Sequence, residues 1–248
     1  MNRVKATVAY DGTNFAGYQF QPKMRTVQSE IDKALRKLHK DPAIYSVASG
    51  RTDAGVHAWG QVIHFDTPLE LELDRWQMAL NVLLPKDIRI VGTEYVDDEF
   101  HARYSATGKT YMFKWSYSEV QSPFDRNYSV HLGKWRPDIE RMREAAHYFI
   151  GTHDFTSFCS SKTATSTKVR TVRELTLTKR DEELIMMIEG NGFLYNMVRT
   201  IAGMLFAVGI GWNDPEDMKK IIEAKDRKKA GKTAPAHGLY LMSVTYDD

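Results

Sequence analysis

Apolar positions along the chain recur with two periods. Val4, Ala6, Val8 and Tyr10 alternate, which predicts a strand. Val27, Ile31, Ala34, Leu35 and Leu38 fall at helical spacing and predict an amphipathic helix from Thr26 to Lys40. An apolar run follows near Ile44 to Ala48, then a strand near Gln61 to Phe65. The next helix, near Asp74 to Leu84, ends before Pro85, because the ring crowds the preceding residue out of the helical region. Ile88 to Val96 closes this stretch as a strand. The order β-α-β-β-α-β is the split βαβ, or ferredoxin-like, arrangement.

The remainder repeats that order in pattern, though not in residues. Lys109 to Tyr117 is an aromatic-rich strand. Ile139, Met142, Ala146 and Phe149 mark a helix after Pro137, a residue suited to a first helical turn. Val169 to Thr178 and Leu184 to Glu189 read as a hairpin turning at Arg180-Asp181-Glu182. Phe193 to Ile210 reads as a long buried helix, Asp214 to Ala224 as a shorter one, and Leu239 to Tyr246 as the closing strand. A polar connector, Asp97 to Gly108, separates the two patterns. The expected architecture is α+β, with one ferredoxin-like half over residues 1–103 and a second over 104–248.

Composition narrows the class. Of 248 residues, 42% are hydrophobic and 27% charged, which suits a globular chain and argues against disorder. The net charge of +2 does not announce a polyanion binder, so any contact with nucleic acid must come from clustered charge. Cys159 is the only cysteine, which excludes an internal disulfide and a Cys-rich metal site and suits a reducing cytosol. The amino-terminal residues alternate like a strand and lack the apolar core of a secretion signal. Phe193 to Ile210 approaches the ~20 residues that span a bilayer. It carries Asn196, Arg199 and Thr200, however, and an arginine in mid-span is costly in lipid, so a buried helix is the better reading.

The densest polar cluster runs Ser49-Gly50-Arg51-Thr52-Asp53-Ala54-Gly55-Val56-His57-Ala58. Two glycines flank Arg51 and Asp53, so the backbone makes a tight excursion between strands. Taken alone, a bare Arg-x-Asp is more often a turn with a surface ion pair than a catalytic loop. Arg199 is the sole formal charge between Glu189 and Asp214, and either pairs with a buried anion or reaches solvent. Tyr111 shares a strand face with Lys109, Phe113, Trp115 and Tyr117; it is either aromatic core or a surface for stacking on a base. Two basic runs, Lys162 to Arg173 and Lys225 to Lys232, are either solvated surface or phosphate contacts. No glycine-rich nucleotide loop and no zinc-ligand spacing occurs.

Seven segments together resemble the TruA family of tRNA pseudouridine synthases, which act on the anticodon arm. They are Tyr10-Asp11-Gly12-Thr13, the Ser49-to-Ala58 loop, Phe100-His101-Ala102-Arg103, Lys109-Thr110-Tyr111, Gly151-Thr152-His153-Asp154-Phe155, Phe193 to Arg199, and Ala234 to Leu241. The resemblance covers nearly the whole chain, and the Arg-Thr-Asp-Ala-Gly-Val-His run is its most specific part. It implies that Asp53 is the catalytic aspartate, Tyr111 the tyrosine that packs on the target base, and Arg199 the arginine paired with Asp53. Arg51 would help hold the displaced nucleotide. It further implies two ferredoxin-like halves in one continuous, mostly antiparallel sheet with a central cleft, a cytoplasmic homodimer, tRNA as substrate at uridines 38 to 40, and no cofactor or metal. Asn196 and Thr200 stand where other members often carry His and Asn, and Lys109 where many carry Arg.

The reaction so implied breaks the C1′–N1 glycosidic bond, turns the base and joins C1′ to C5, with no redox change. Two other classes suit parts of the sequence. A non-catalytic RNA-binding protein would need the aromatics and basic runs but not Asp53 in its glycine-flanked loop. An aspartyl-nucleophile hydrolase or phosphotransferase would need metal-binding carboxylates beside Asp53, and the loop has none.

Overall fold

A computed structural model describes residues 1–160, 163 and 165–247. The chain is α+β, and its strand pairing is mostly antiparallel. In chain order the elements are β1 (Asn2–Tyr10), α1 (Val27–His39), β2 (Val47–Ala48), β3 (His57–Thr67), α2 (Leu73–Leu83) and β4 (Ile88–Val96). They continue with β5 (Ala106–Ser116), β6 (Val130–His131), α3 (Ile139–His147), β7 (Gly151–Asp154), β8 (Val169–Arg180) and β9 (Glu183–Gly190). The last are α4 (Met197–Gly209), α5 (Asp217–Ala224) and β10 (Leu239–Tyr246). Two compact units result: Met1–Thr107 together with Tyr240–Asp248, and Gly108–Leu239.

In the first unit β1 lies between β4 and β3, antiparallel to both, so that Ala6 faces Thr93 on one side and Ile63 on the other. β2 pairs with β3, which gives the strand order of the ferredoxin-like motif, and β10 runs parallel to the start of β3 at Tyr240 and His57. Helix α1 begins with a reciprocal cap. The Thr26 hydroxyl accepts from the Ser29 amide at 3.2 Å, and the Ser29 hydroxyl accepts from the Thr26 amide at 3.2 Å. It ends at Lys40, whose φ of 53° is left-handed. Val27, Ile31, Ala34 and Leu35 turn inward with Val4, Ala6, Val8 and Ile63. Trp76 from α2 is fully buried and meets the edge of Phe65 at 5.4 Å. Deleting a ring of that size from a close-packed core costs about 3–5 kcal/mol.

In the second unit β9 pairs with β5 and β8, and β7 lies beyond β8, all antiparallel. The β8–β9 hairpin turns through Asp181 at φ 51°. Pro137 stands before the α3 cap rather than in its first turn. Asp138 is the cap, and its carboxylate accepts from the Glu140 and Arg141 amides at 3.0 and 3.2 Å.

Helix α4 starts at Met197, not at Phe193, because Asn196 adopts φ 65° and interrupts any helix through it. Its 13 residues rise roughly 20 Å. Among the described residues no helix is long and apolar enough to cross a membrane.

Candidate active site

The segment from Ser49 to Val56 joins β2 to β3, and side chains from elsewhere in the first unit hold it at both ends. At its entrance Gln61 is fully buried on β3. Its Oε1 accepts from the Ser49 hydroxyl at 2.7 Å, and its Nε2 donates to the Gly50 carbonyl at 2.9 Å. At the centre Thr52 points inward. Its hydroxyl is 2.7 Å from the Tyr10 hydroxyl, and its carbonyl accepts from the Tyr18 amide at 3.0 Å. Burial pushes the Tyr10 phenol up to about 12, so it stays protonated and able to donate at neutral pH.

At the exit the Val56 amide donates to the Asp53 carbonyl at 3.1 Å and closes a turn. Gly55 takes φ 78° there, a conformation that side chains disfavour. His57 is buried, its Nδ1 accepts from the Gly12 amide at 3.0 Å, and its ring stacks on Tyr240 at 4.7 Å. An accepting Nδ1 leaves the ring proton on Nε2. The Asp11 carboxylate, 3.2 Å from Nδ1, becomes an ion-pair partner only if that nitrogen is protonated. Between these anchors the chain alternates. Arg51 is exposed, Thr52 buried, Asp53 half-buried and Ala54 exposed.

Tyr111 and Arg199 belong to the second unit. Tyr111 lies on β5 and is 9% exposed, with its ring edge-to-face with Phe193 at 5.3 Å and 85°. Phe113 and Trp115 follow on the same buried face. Arg199 lies in the first turn of α4 and is half-buried rather than fully buried. Its Nε donates to the Ala234 carbonyl at 2.8 Å, and one terminal nitrogen donates to Asn196 Oδ1 at 3.2 Å. The Asn196 amide oxygen thus orients the guanidinium instead of capping the helix.

The basic runs are not uniform. Lys162 lies outside the described residues. Arg227 is structural, with donors on the Ala230 and Gly231 carbonyls and on Thr233 at 2.9–3.0 Å. Arg170 spends donors on Thr167 and Val169, and Lys225 stands 3.5 Å from Asp154. Lys228, Lys229 and Lys232 are exposed. Sequence reasoning did not single out Tyr10, Tyr18 and Gln61 as holders of the loop. The one signal was Gln61, a polar amide at the head of the apolar run Val62-Ile63.

The family model for tRNA pseudouridine synthase matches residues 6–105 and 145–247. The chain is 55% identical to tRNA pseudouridine synthase A of Bacillus pumilus (strain SAFR-032), across 99% of this chain and all of that one. It is 54% identical to tRNA pseudouridine synthase A of Bacillus subtilis (strain 168), with the same coverage. Among solved structures, a chain of "Crystal Structure of a Cbf5-Nop10-Gar1 Complex" is 12% identical with a TM-score of 0.37, over 82% of this chain and 54% of that one. The chain belongs to the tRNA pseudouridine synthase family. It is an isomerase acting on tRNA.

Proposed function

We propose that this enzyme converts uridines 38, 39 and 40 of the tRNA anticodon arm to pseudouridine, with Asp53 as its catalytic carboxylate. The observation that carries the reading is the Arg51-to-His57 run. It forms a turn clamped at both ends with Asp53 half-buried at its centre, in a chain that matches relatives named tRNA pseudouridine synthase A over its full length. Preorganisation of this kind is what an electrostatic or nucleophilic carboxylate needs, because it then costs no rearrangement during reaction. Asp53 would act on the sugar or the base as the glycosidic bond breaks. All three routes, attack at C1′, attack on the base and removal of a sugar proton, use the same carboxylate.

Tyr111, backed by Phe193, would pack on the target base once that base has left its stack, a step costing a few kcal/mol. Arg199, oriented by Ala234 and Asn196, would be the arginine that pairs with Asp53. Arg51, exposed beside the turn, would hold the displaced nucleotide. Exposed Lys228, Lys229 and Lys232 would meet phosphates and offset the cost of extruding the base. The resemblance also supports a homodimer working in the cytoplasm, with one ferredoxin-like half over residues 1–103 and a second over 104–248. The test is to incubate purified protein with unmodified tRNA, without added metal or cofactor, and to map pseudouridine along the molecule. Product confined to positions 38 to 40 is expected. Product elsewhere, or none, overturns the assignment.

A further inference from the structure

We propose that Tyr10 and Thr52 act together as positioning residues, their buried hydroxyl–hydroxyl bond turning Thr52 inward and so presenting its two neighbours, Arg51 and Asp53, to substrate. The proposal deepens the reading of Asp53 as the catalytic carboxylate and rests on it.

Three observations carry it. The first is the alternation of the loop. Arg51 is exposed, Thr52 buried and Asp53 half-buried, so the contact that draws Thr52 inward leaves its two neighbours on the more open side. The second is the post to which Thr52 is tied. Tyr10 is 5% exposed at the end of β1 and paired on both sides, with Ala58 on β3 and Ile88 on β4, so its ring has little freedom to follow a wandering loop. The third is that the bond leaves little slack. The bond joins two buried residues at 2.7 Å, the Tyr10 hydroxyl also meets the Gln61 side chain that holds the loop entrance, and the backbone of Thr52 is pinned separately by Tyr18. Side chain and main chain of the same residue are both fixed, by Tyr10 and by Tyr18, immediately before the carboxylate. Geometry of this quality matters because a misplacement of about 1 Å at a reacting group costs on the order of a hundredfold in rate.

The test separates positioning from folding. Thr52→Val keeps the shape of the side chain and removes the hydroxyl, Tyr10→Phe removes the other partner, and Thr52→Ser restores a hydroxyl in the smaller frame. For each variant, kcat and KM on unmodified tRNA are measured well below its melting temperature, with Asp53→Asn run in parallel.

Thr52→Val and Tyr10→Phe are each expected to lower kcat by roughly 10- to 100-fold while KM stays within about threefold. Thr52→Ser should recover most of the loss. The double variant Tyr10→Phe/Thr52→Val should be no worse than the poorer single, since the Tyr10–Thr52 bond is already lost in either. Unchanged kcat in both singles, losses confined to KM, or losses that multiply in the double variant would each overturn the positioning role. Turnover surviving in Asp53→Asn would overturn the reading of Asp53 instead. An inert Asp53→Asn beside fully active Tyr10→Phe and Thr52→Val removes only the inference made here.

Discussion

Gly12 lies against the backbone of Val56 so closely that a β-carbon on it would stand 2.0 Å from the Val56 carbonyl oxygen. Backbone cannot retreat as a flexible side chain can, so the Asp11–Gly12 corner and the exit of the Ser49-to-Val56 loop fit only without a side chain between them. Gly12→Ala must therefore displace one of them and disturb the Gly12 amide that donates to His57. The expected cost is about 1–3 kcal/mol in stability, together with a larger fall in kcat than in substrate affinity. Urea unfolding and steady-state kinetics on the same preparation check both. Native stability and rate would mean that the corner is softer than its geometry implies.

Stability should fall as pH drops from 6.5 towards 4, and His64 should account for part of the slope. Burial, then the nearby charges of Arg3 and His101, holds the His64 imidazole down at about 4 from an ordinary 6.5. Its Nδ1 accepts from the Ala102 amide at 3.1 Å, a bond available only to the neutral ring. The unfolded chain therefore binds more protons across that window. The stabilisation is complete above pH 6.5 and lost as pH falls through 4, and is on the order of 2–3 kcal/mol. Urea midpoints of wild type and His64→Gln between pH 7.5 and 4.5 test this. The variant starts less stable and should lose less on acidification. Parallel curves would remove His64 from the account.

Affinity for tRNA should fall steeply with salt despite the small net charge of +2. Each phosphate neutralised adds a slope of roughly −0.7 to −0.9 to log K against log salt. Lys228, Lys229 and Lys232 are the exposed members of their run, while Arg227 is tied to main-chain carbonyls. The triple change of these lysines to alanine should flatten the slope by up to about 2 to 3, in binding measured from 50 to 300 mM salt. An unaltered slope would mean these lysines are only solvated surface.

Arg199→Lys should be poorly tolerated. The guanidinium donates at the same time to Ala234 and Asn196, and one ammonium cannot reproduce that planar fork. A fall in kcat of at least about tenfold, or roughly 1.4 kcal/mol, is expected with little loss of tRNA binding. Normal turnover in Arg199→Ala would remove Arg199 from the proposed site.

The first unit was legible in the sequence wherever one face of an element is buried. Helix α1 fills the stretch that periodicity indicates, with Thr26 and Lys40 as its caps, and β1 alternates along its length. Strand β3 is buried on both faces over most of its residues, so it does not alternate, and only its apolar middle stood out. β2, β6 and β7 span two to four residues, too few for any period to register. The start of α4 was misread because Phe193 and Leu194 continue the apolar run while the left-handed turn at Asn196 leaves no mark in hydrophobicity. At the site, Arg51 and Asp53 were visible as an unusual polar cluster. The residues that fix their geometry were not, since Tyr10 and Gln61 sit at long sequence separation in strands where nothing but three-dimensional pairing reveals their partners.

The central claim is that the Asp53 carboxylate performs the isomerisation, and the most direct measurement compares Asp53→Asn with wild type. Both proteins are given unmodified tRNA, and pseudouridine at positions 38 to 40 is counted alongside tRNA affinity at fixed salt. The amide keeps the size and shape of the carboxylate while removing its charge. The expected result is no detectable pseudouridine, with affinity within a few-fold of wild type, because phosphate contacts rather than Asp53 supply binding. Pseudouridine formed by Asp53→Asn at more than about a thousandth of the wild-type rate, beyond what positioning and binding alone would leave after loss of an essential catalytic group, would contradict it.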